Sequence, residues 1–271
     1  CAGHSLGEYA AAVVGGYLTL EAALQIVAAR AKSTEDLAEE GAMLSVADWT
    51  AEELEAVATG QRKGLWLAAV NSPQHSVISG EVLAIEDLEK ELKAAGKKCS
   101  RLHVKRAFHS GLIAKAADTL KNLGVAEELQ GVEVIPVASN LTGQWLGAAH
   151  MKDGQYWTKH MRGTVLWREN AERLISQWRP NIILEVGPGN VLSTLTSKCV
   201  KSPEGWKPDF LQSMRHPKAT KTHDVEAFLG ALGKLWEAGC NVNWDQLHTK
   251  VLGNTRLPPL TRLPVYSFEE T

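Results

Sequence analysis

The sequence contains few cysteines, and no two of them form a C-x-x-C motif. The four cysteines stand far apart, at Cys1, Cys99, Cys199 and Cys240. This wide spacing argues against a disulfide framework and against a cysteine zinc site, and we expect no bound metal. It fits a reducing compartment, so we expect buried thiols and a cytoplasmic location.

The sequence also lacks long apolar runs and a large net charge. No apolar stretch reaches about 18 residues, so no membrane span is predicted. The chain has 29 basic and 31 acidic residues, and this balance argues against nucleic acid as the main partner. One basic cluster is either a solvated face or a landing surface for an acidic carrier or a phosphorylated cofactor. It consists of Lys97, Lys98, Arg101, Lys105 and Arg106.

Hydrophobic residues make up 44% of the 271 residues, which is ordinary for a globular protein with a core. Over residues 42–107 the pattern changes between strand and helix in the order β-α-β-β-α-β. This is the ferredoxin-like, split βαβ arrangement. Its first helix carries a capping box, Thr50 with Glu53. The segment predicts a small subdomain inserted into a larger one that is formed by residues 1–41 and 108–200.

The flanking segments predict mostly helices. A helix capped by Thr19 covers Leu20–Glu40 and ends at Gly41. Further predicted elements are a helix over 107–123, a strand over 133–140, helices over 155–161 and 164–178, and a strand, tight turn and helix over 181–195. Residues 201–271 form a looser region with one amphipathic helix over 225–239 and a proline-rich tail, which is typical of a surface linker.

The chain opens with GHSLG at residues 3–7, which matches the nucleophile motif G-x-S-x-G. In that motif the serine lies on a sharp strand-to-helix turn, and small neighbours make the turn possible. Ser5 is therefore a candidate nucleophile. The N–H of Leu6 would point toward a developing oxyanion, and the following helix would direct its positive end there. The alternative is a glycine-lined helix cap.

A serine nucleophile needs a base. His4 is adjacent to Ser5, and its side chain should point away from it. His109 lies where the insert returns to the larger subdomain, which is where a cleft is expected; alternatively it makes one local hydrogen bond at a helix start. Arg30, on an alanine-rich helix, is either a snorkelling surface residue or a planar fork for a carboxylate.

Together, motifs along almost the whole chain resemble the acyltransferase family that loads acyl carrier proteins. The family comprises malonyl-CoA:carrier-protein transacylases and the acyltransferase domains of polyketide and fatty acid synthases. The motifs are GHSLGEYA at 3–10, the arginine in AARAK, VNSPQHSVISG at 70–80, RAFHS at 106–110, YWTKHMRGTV at 156–165 and EVGPGNVL at 185–192. The resemblance implies an α/β fold with a hydrolase-like core, a parallel sheet and a ferredoxin-like insert. The closing LPVYSF resembles the linker after the acyltransferase in polyketide synthases.

The resemblance assigns roles to individual residues. Ser5 would take the acyl group as an ester, and His109 would act first as base and then as acid. A backbone carbonyl near His160 would orient the His109 ring in place of the usual aspartate. Arg30 would pair with the free carboxylate of a malonyl-type extender unit. Leu6 would supply one oxyanion N–H.

The resemblance also indicates substrates and partners. Asn71 and His4 would line the pocket with Phe108, whose bulk would exclude a branch methyl and favour malonyl over methylmalonyl. Arg106 stands where the family has a histidine. Malonyl-CoA would be the substrate, and no cofactor would be tightly bound. The partners would be an acyl carrier protein with its phosphopantetheine thiol, and adjacent ketosynthase and other synthase domains.

Family members carry further residues before the serine, so the resemblance implies an N-terminally truncated piece. Such a piece should lack part of its central sheet and have weak activity alone. Two other functions stay open. A thioesterase or esterase on the same elbow would use water as acceptor and gain little from Arg30. A non-catalytic domain retained in a synthase is the second, although the intact Ser5, His109 and Arg30 count against it.

Overall fold

The computed structural model describes residues 1–60, 64–123, 135–147, 155–200, 205–251 and 253. The chain divides into two compact units. One comprises Cys1–Ile183 with Asn190–Phe210, and the other comprises Leu184–Gly189 with the chain from Leu211 onward. The insert over 42–107 lies within the first unit and is not separated from it, so the predicted subdomain boundaries stay a prediction. The expectation that the chain lacks part of its central sheet also stays a prediction.

Two helices open the chain, α1 (Gly7–Val14) and α2 (Leu20–Leu37). Thr19 caps α2 as predicted, because its Oγ1 accepts a hydrogen bond from the Ala22 N–H at 3.1 Å. The helix ends at Leu37 rather than at Gly41. Ala38 is extended, with ψ 135°, and the Glu39 N–H donates to a distant carbonyl, that of Leu112. A tertiary hydrogen bond therefore ends this helix before its glycine stop signal.

The insert has the predicted element order. Its elements are β1 (Ala42–Ala47), α3 (Ala51–Gly60), β2 (Leu65–Ser72), β3 (His75–Gly80), α4 (Val82–Ala94) and β4 (Cys99–Arg101). The strand order is β4-β1-β3-β2, and each of these neighbours is antiparallel. The capping box is also present: the Thr50 N–H donates to Glu53 Oε2, and the Glu53 N–H donates to Thr50 Oγ1. The ferredoxin-like insert is confirmed.

The sheet of the insert is buried on both faces. Leu44 of β1 pairs with Ile78 of β3, and both are fully buried in a cluster with Leu54 and other residues of α3 and α4. Successive residues of a strand point to opposite faces. Met43 therefore lies in a different cluster, with Val165 and other residues outside the insert. This second face fixes the insert against the residues that carry the site.

A fifth strand joins this sheet from outside the insert. Residues 164–178 were predicted to be helical, but β5 (Val165–Leu166) comes first and pairs in parallel with β2. The Thr164 hydroxyl donates to the Leu67 carbonyl at 2.7 Å, and the Leu166 N–H donates to Asn140. These long-range bonds override the local helical pattern, and α7 (Trp167–Trp178) begins only after them.

The segment 107–123, predicted as one helix, is broken. A 3₁₀ turn (Gly111–Ile113), α5 (Ala114–Asp118) and a second 3₁₀ turn (Thr119–Asn122) follow one another, and α6 (Tyr156–Arg162) comes later. Residues 107–110 stay outside the helix, because Ser110 caps the first turn and His109 has φ 58°. Of the predicted strand over 133–140, residues 133 and 134 lie outside the described residues; Ala138 forms isolated bridges to Ala2 and Trp145.

The last elements include one strand that was not predicted. After β6 (Ile182–Pro188) and α8 (Val191–Cys199), β7 (Asp209–Met214) pairs with β6. The helix predicted over 225–239 is α9 (Asp224–Glu237), followed by a short turn at Trp244–Gln246. The proline-rich tail lies outside the described residues. Within the described ranges, no helix is long and apolar enough to cross a membrane.

We expect Ile78→Ala to destabilise the insert. Ile78 is fully buried between the sheet and its helices, so the truncation leaves a cavity and should lower the free energy of unfolding by about 2–5 kcal/mol. Urea denaturation followed by circular dichroism measures the change. Leu83→Ala in α4 is the control, because Leu83 is 73% exposed and its removal leaves no cavity. Equal midpoints for the two variants would contradict this core.

Candidate active site

Ser5 occupies a strained turn between the first residues of the chain and α1. Its φ is 49°, in the left-handed region that non-glycine residues seldom adopt. Gly3 permits the close approach that this turn requires, because a Cβ on Gly3 would lie 2.0 Å from the Gly7 carbonyl oxygen. A Cβ on Gly7 would meet nothing within 4 Å. The glycine before the serine is therefore the one that packing requires.

The turn directs Ser5 toward His109, which lies between β4 and α5. Ser5 Oγ is 2.7 Å from His109 Nε2, and His109 Nδ1 is 2.8 Å from the Gly163 carbonyl oxygen. A carbonyl only accepts, so Nδ1 carries the proton and Nε2 is left to accept the Ser5 hydroxyl proton. The His4 ring bonds to Asn71 and not to Ser5, as the sequence predicted. The geometry is that of a nucleophile and its general base.

The carbonyl that orients His109 belongs to Gly163, so the predicted position near His160 is wrong by three residues. Gly163 is the first residue after α6, and its ψ of 158° turns its carbonyl away from the helix axis. A Cβ there would lie 2.6 Å from Leu141 Cδ1. His160 lies one turn earlier, and its buried ring instead faces Glu8, with Nε2 3.3 Å from Glu8 Oε2.

His109 is held in its neutral form. Burial, together with smaller effects of the nearby His160 and Arg30, lowers the pKa of His109 from 6.5 to about 3, and the bond to Gly163 opposes this shift. Between about pH 3 and pH 6.5, His109 is protonated in the unfolded chain but not in the folded one. The free energy of unfolding therefore falls as the pH drops below about 6.5. At neutral pH the ring is ready to accept a proton.

Arg30 is buried, which contradicts the surface alternative for this residue. Its side chain comes from α2 and is 7% exposed. Nη2 is 3.5 Å from Ser5 Oγ, and the guanidinium carbon lies 5.6 Å above the centre of the Tyr9 ring. Nη1 is buried and has no hydrogen-bond partner among the described residues. A buried cation with a free N–H beside a nucleophile is suited to a carboxylate.

A cleft of about 620 Å³ opens beside Ser5. Its lining consists of Ser5, Leu6, Val27, Arg30, Ala31, Thr34, Glu35, Val104, Lys105, Arg106 and Phe108. Phe108 therefore lines the cleft as predicted; Leu6 lines it too, and its role as an oxyanion donor stays a prediction. His4 and Asn71 were predicted to line the pocket, but they are not among the described residues that line this cleft. They bond to each other, with His4 Nε2 2.8 Å from Asn71 Oδ1, and so support the elbow from the side of the insert.

The basic cluster divides into two parts. Three members pair within the insert: Lys97 with the Trp49 ring, Lys98 with Asp48, and Arg101 with Glu89. Lys105 and Arg106 instead line the cleft. Only this second part of the cluster faces the site.

Sequence reasoning missed three residues that support the elbow. Asn140 Oδ1 accepts the Ser5 N–H at 2.6 Å, and Glu8 accepts hydrogen bonds from the Asn140 N–H and the Tyr156 hydroxyl. Glu8 directly follows GHSLG and was open to detection as a charged residue on a small-residue helix. Tyr156 begins the motif YWTKHMRGTV but was assigned no role there, and nothing in the local pattern marked Asn140. Among the described residues, no cluster could hold a metal ion.

A serine-directed fluorophosphonate should label Ser5 at a rate that stays nearly constant between pH 8 and pH 5. With its pKa near 3, His109 remains an unprotonated base across this range, whereas an ordinary histidine would be about thirtyfold depleted in that form at pH 5. Intact mass against time measures the rate. Ser5→Ala should take no label, and a thirtyfold decline by pH 5 would contradict the burial of His109.

Known proteins with similar sequences or structures include polyketide synthases and a carrier-protein transacylase. Polyketide synthase GfsA of Streptomyces halstedii is 31% identical over 269 residues, which is 99% of this chain and 3% of that protein. The acyltransferase domain from the second module of the salinomycin polyketide synthase is 37% identical with a TM-score of 0.77, over 95% of this chain and 58% of that one. Malonyl CoA-acyl carrier protein transacylase of Clostridium perfringens is 25% identical with a TM-score of 0.73, over 88% of this chain and 71% of that one.

The chain thus spans a small part of its curated relative and somewhat more than half of the synthase acyltransferase domain. These similarities confirm the predicted fold class, an α/β hydrolase-like core with a ferredoxin-like insert. The acyl transferase domain family matches residues 1–242. The chain belongs to the acyl transferase domain family.

Proposed function

We propose that this chain transfers a malonyl-type acyl group from CoA to the phosphopantetheine thiol of an acyl carrier protein, through an ester on Ser5. The observation that carries the proposal is the position of Arg30. Nη2 of its buried guanidinium lies 3.5 Å from Ser5 Oγ, and Nη1 has no hydrogen-bond partner among the described residues. Leaving a buried donor unpaired is unfavourable, so the site favours a substrate that brings a carboxylate.

The first half-reaction forms the ester. Ser5 Oγ attacks the thioester carbonyl carbon while His109 Nε2 takes the hydroxyl proton. The negative oxygen that forms is stabilised by backbone N–H donors, of which Leu6 supplies one at the positive end of α1. The tetrahedral intermediate then expels the CoA sulfur, which takes the proton from His109. The Gly163 carbonyl keeps the ring oriented and stabilises its transient charge.

The second half-reaction runs the same steps with a different thiol. The phosphopantetheine thiol of the carrier enters the cleft and gives its proton to His109. The thiolate attacks the ester carbon, and Ser5 leaves with the proton returned by His109. Arg30 holds the malonyl carboxylate in both half-reactions. Neither half-reaction changes an oxidation state, and the proposed steps require no metal or redox cofactor.

Phe108 sets which acyl group fits the cleft, and Arg106 helps to attract the acyl carrier protein or CoA. Phe108 lines the cleft next to His109, where its ring would crowd a branch at the malonyl alpha carbon and so favour malonyl over methylmalonyl. Lys105 and Arg106 would attract the acidic carrier or the CoA phosphates. The similarity to the Clostridium perfringens malonyl CoA-acyl carrier protein transacylase supports this substrate and partner, and the similarity to polyketide synthases supports neighbouring ketosynthase domains.

Brief incubation with malonyl-CoA should give a malonyl-sized mass increase on the chain, with Ser5→Ala unmodified. Acetyl-CoA should give a weak adduct because it leaves Arg30 unpaired, and methylmalonyl-CoA should give a weak one because of Phe108. Intact mass spectrometry measures all four. Equal adducts from malonyl-CoA and acetyl-CoA would refute the carboxylate requirement. Hydrolysis of the adduct as fast as its transfer to the carrier would favour a hydrolase.

We expect Arg30→Ala to lower kcat/KM for malonyl-CoA by about 10- to 100-fold, the usual worth of a charged hydrogen bond. The rate with acetyl-CoA should not fall, because that substrate has no carboxylate to lose. Lys32→Ala is the matched control, since Lys32 is an exposed cation on the same helix. Equal losses with both substrates would show that Arg30 supports the fold and does not bind the substrate.

A further inference from the structure

A buried polar cluster lies behind the elbow, on the side away from the cleft. Its members are Glu8, Ser139, Asn140, Tyr156 and His160, and each is at most 3% exposed. They come from α1, from the segment before α6 and from α6 itself. Burying this many polar groups is unfavourable unless hydrogen bonds satisfy them. The mechanism above uses none of these side chains.

Asn140 binds the backbone at Ser5 and at Gly3, two residues before it. Its Oδ1 accepts the Ser5 N–H at 2.6 Å, and its Nδ2 donates to the Gly3 carbonyl at 2.7 Å. An N–H needs an acceptor and a carbonyl needs a donor, so the two contacts fix the orientation of the amide group. The side chain therefore spans the turn at the residue whose φ is in the left-handed region.

Glu8 in turn holds Asn140. Glu8 Oε2 accepts the Asn140 N–H at 2.6 Å, and Glu8 Oε1 accepts the Tyr156 hydroxyl. The same hydroxyl lies 2.7 Å from Ser139 Oγ, and Tyr156 has a raised pKa because of burial and the Glu8 charge. A fully buried carboxylate persists only when it is paired and hydrogen-bonded, so Glu8 is a rigid attachment point.

We infer that Asn140, held by Glu8, is the positioning residue that keeps Ser5 in its reactive conformation. The φ of Ser5 sets the direction of Oγ toward His109, and it sets the direction of the Leu6 N–H that follows. Strained residues persist only where the surroundings determine them, and Asn140 makes two of the bonds that do so. Asn140 touches no substrate and transfers no proton. The inference rests on Ser5 as the nucleophile of the proposed function.

Asn140→Ala removes both bonds and leaves Arg30 and the cleft unchanged. A small misplacement of reacting groups costs about 10²-fold in rate, so we expect a loss of about this size in the kcat of Ser5 acylation, with KM for malonyl-CoA unchanged. Quenched intact mass spectrometry gives both constants. A purely structural role would lower the midpoint of thermal unfolding without this division between kcat and KM.

The matched control is Asn170→Ala. Asn170 is a second fully buried asparagine, and neither its Nδ2 nor its Oδ1 has a hydrogen-bond partner within the described ranges. Its removal should leave the acylation rate at the wild-type value. Asn140→Asp keeps an acceptor for the Ser5 N–H and loses the donor to Gly3, so it should restore part of the rate.

Glu8→Gln keeps the shape of the side chain but weakens the bond to the Asn140 N–H. This variant replaces the Asn140 variants in the test if those fail to fold. It should lower kcat less than Asn140→Ala does, again at constant KM. A folded Asn140→Ala or Glu8→Gln protein with the wild-type kcat would overturn the inference.

The fluorophosphonate distinguishes this failure from failure of the proposed function. If the wild-type chain takes the fluorophosphonate but no malonyl group, the proposed function is wrong, and the labelling rates of the same variants still test Asn140. Slow labelling of Asn140→Ala then supports the positioning role. A wild-type labelling rate in folded Asn140→Ala or in folded Glu8→Gln overturns it.

Discussion

The hydrogen bond between Ser5 and His109 is the contact on which the rest of the site depends. Both residues have φ in the left-handed region, 49° and 58°, which side chains other than glycine rarely adopt without support. The support comes from outside each turn: Asn140 binds the Ser5 N–H, and the Gly163 carbonyl binds the His109 ring. Two strained residues thus meet at 2.7 Å, and neither turn would hold this geometry by local bonds alone.

Burial of charge explains how the site is divided into two halves. Behind the elbow, the Glu8 carboxylate accepts hydrogen bonds from the Asn140 N–H and the Tyr156 hydroxyl. In front of it, Arg30 is buried beside the nucleophile with one N–H unused by the described residues. Electrostatic interactions are stronger in such a low-dielectric environment. The same burial keeps His109 neutral, so the neutral histidine and the unpaired guanidinium nitrogen share one cause.

Sequence patterns predicted well those features that depend on neighbouring residues. The capping box of Thr50 and Glu53, the Thr19 cap and the element order of the insert follow from spacing within about ten residues. The patterns failed where distant residues competed. Thr164 bonds to Leu67 and Leu166 bonds to Asn140, and Val165–Leu166 form a strand where a helix was predicted. A hydrogen bond from Glu39 to Leu112 ends α2 early.

The sequence by itself determined the chemistry of the site, because GHSLG, the histidine of RAFHS and the arginine of α2 already name a nucleophile, a base and a cation. It also determined the ferredoxin-like insert through its periodicity. Only the tertiary structure decided that Gly163 rather than a residue near His160 orients the base, and that Asn140 binds the elbow. These contacts join residues 54 and 135 positions apart, and no spacing rule reaches across such a distance, because they depend on which chain ends and helix termini the packed core brings together.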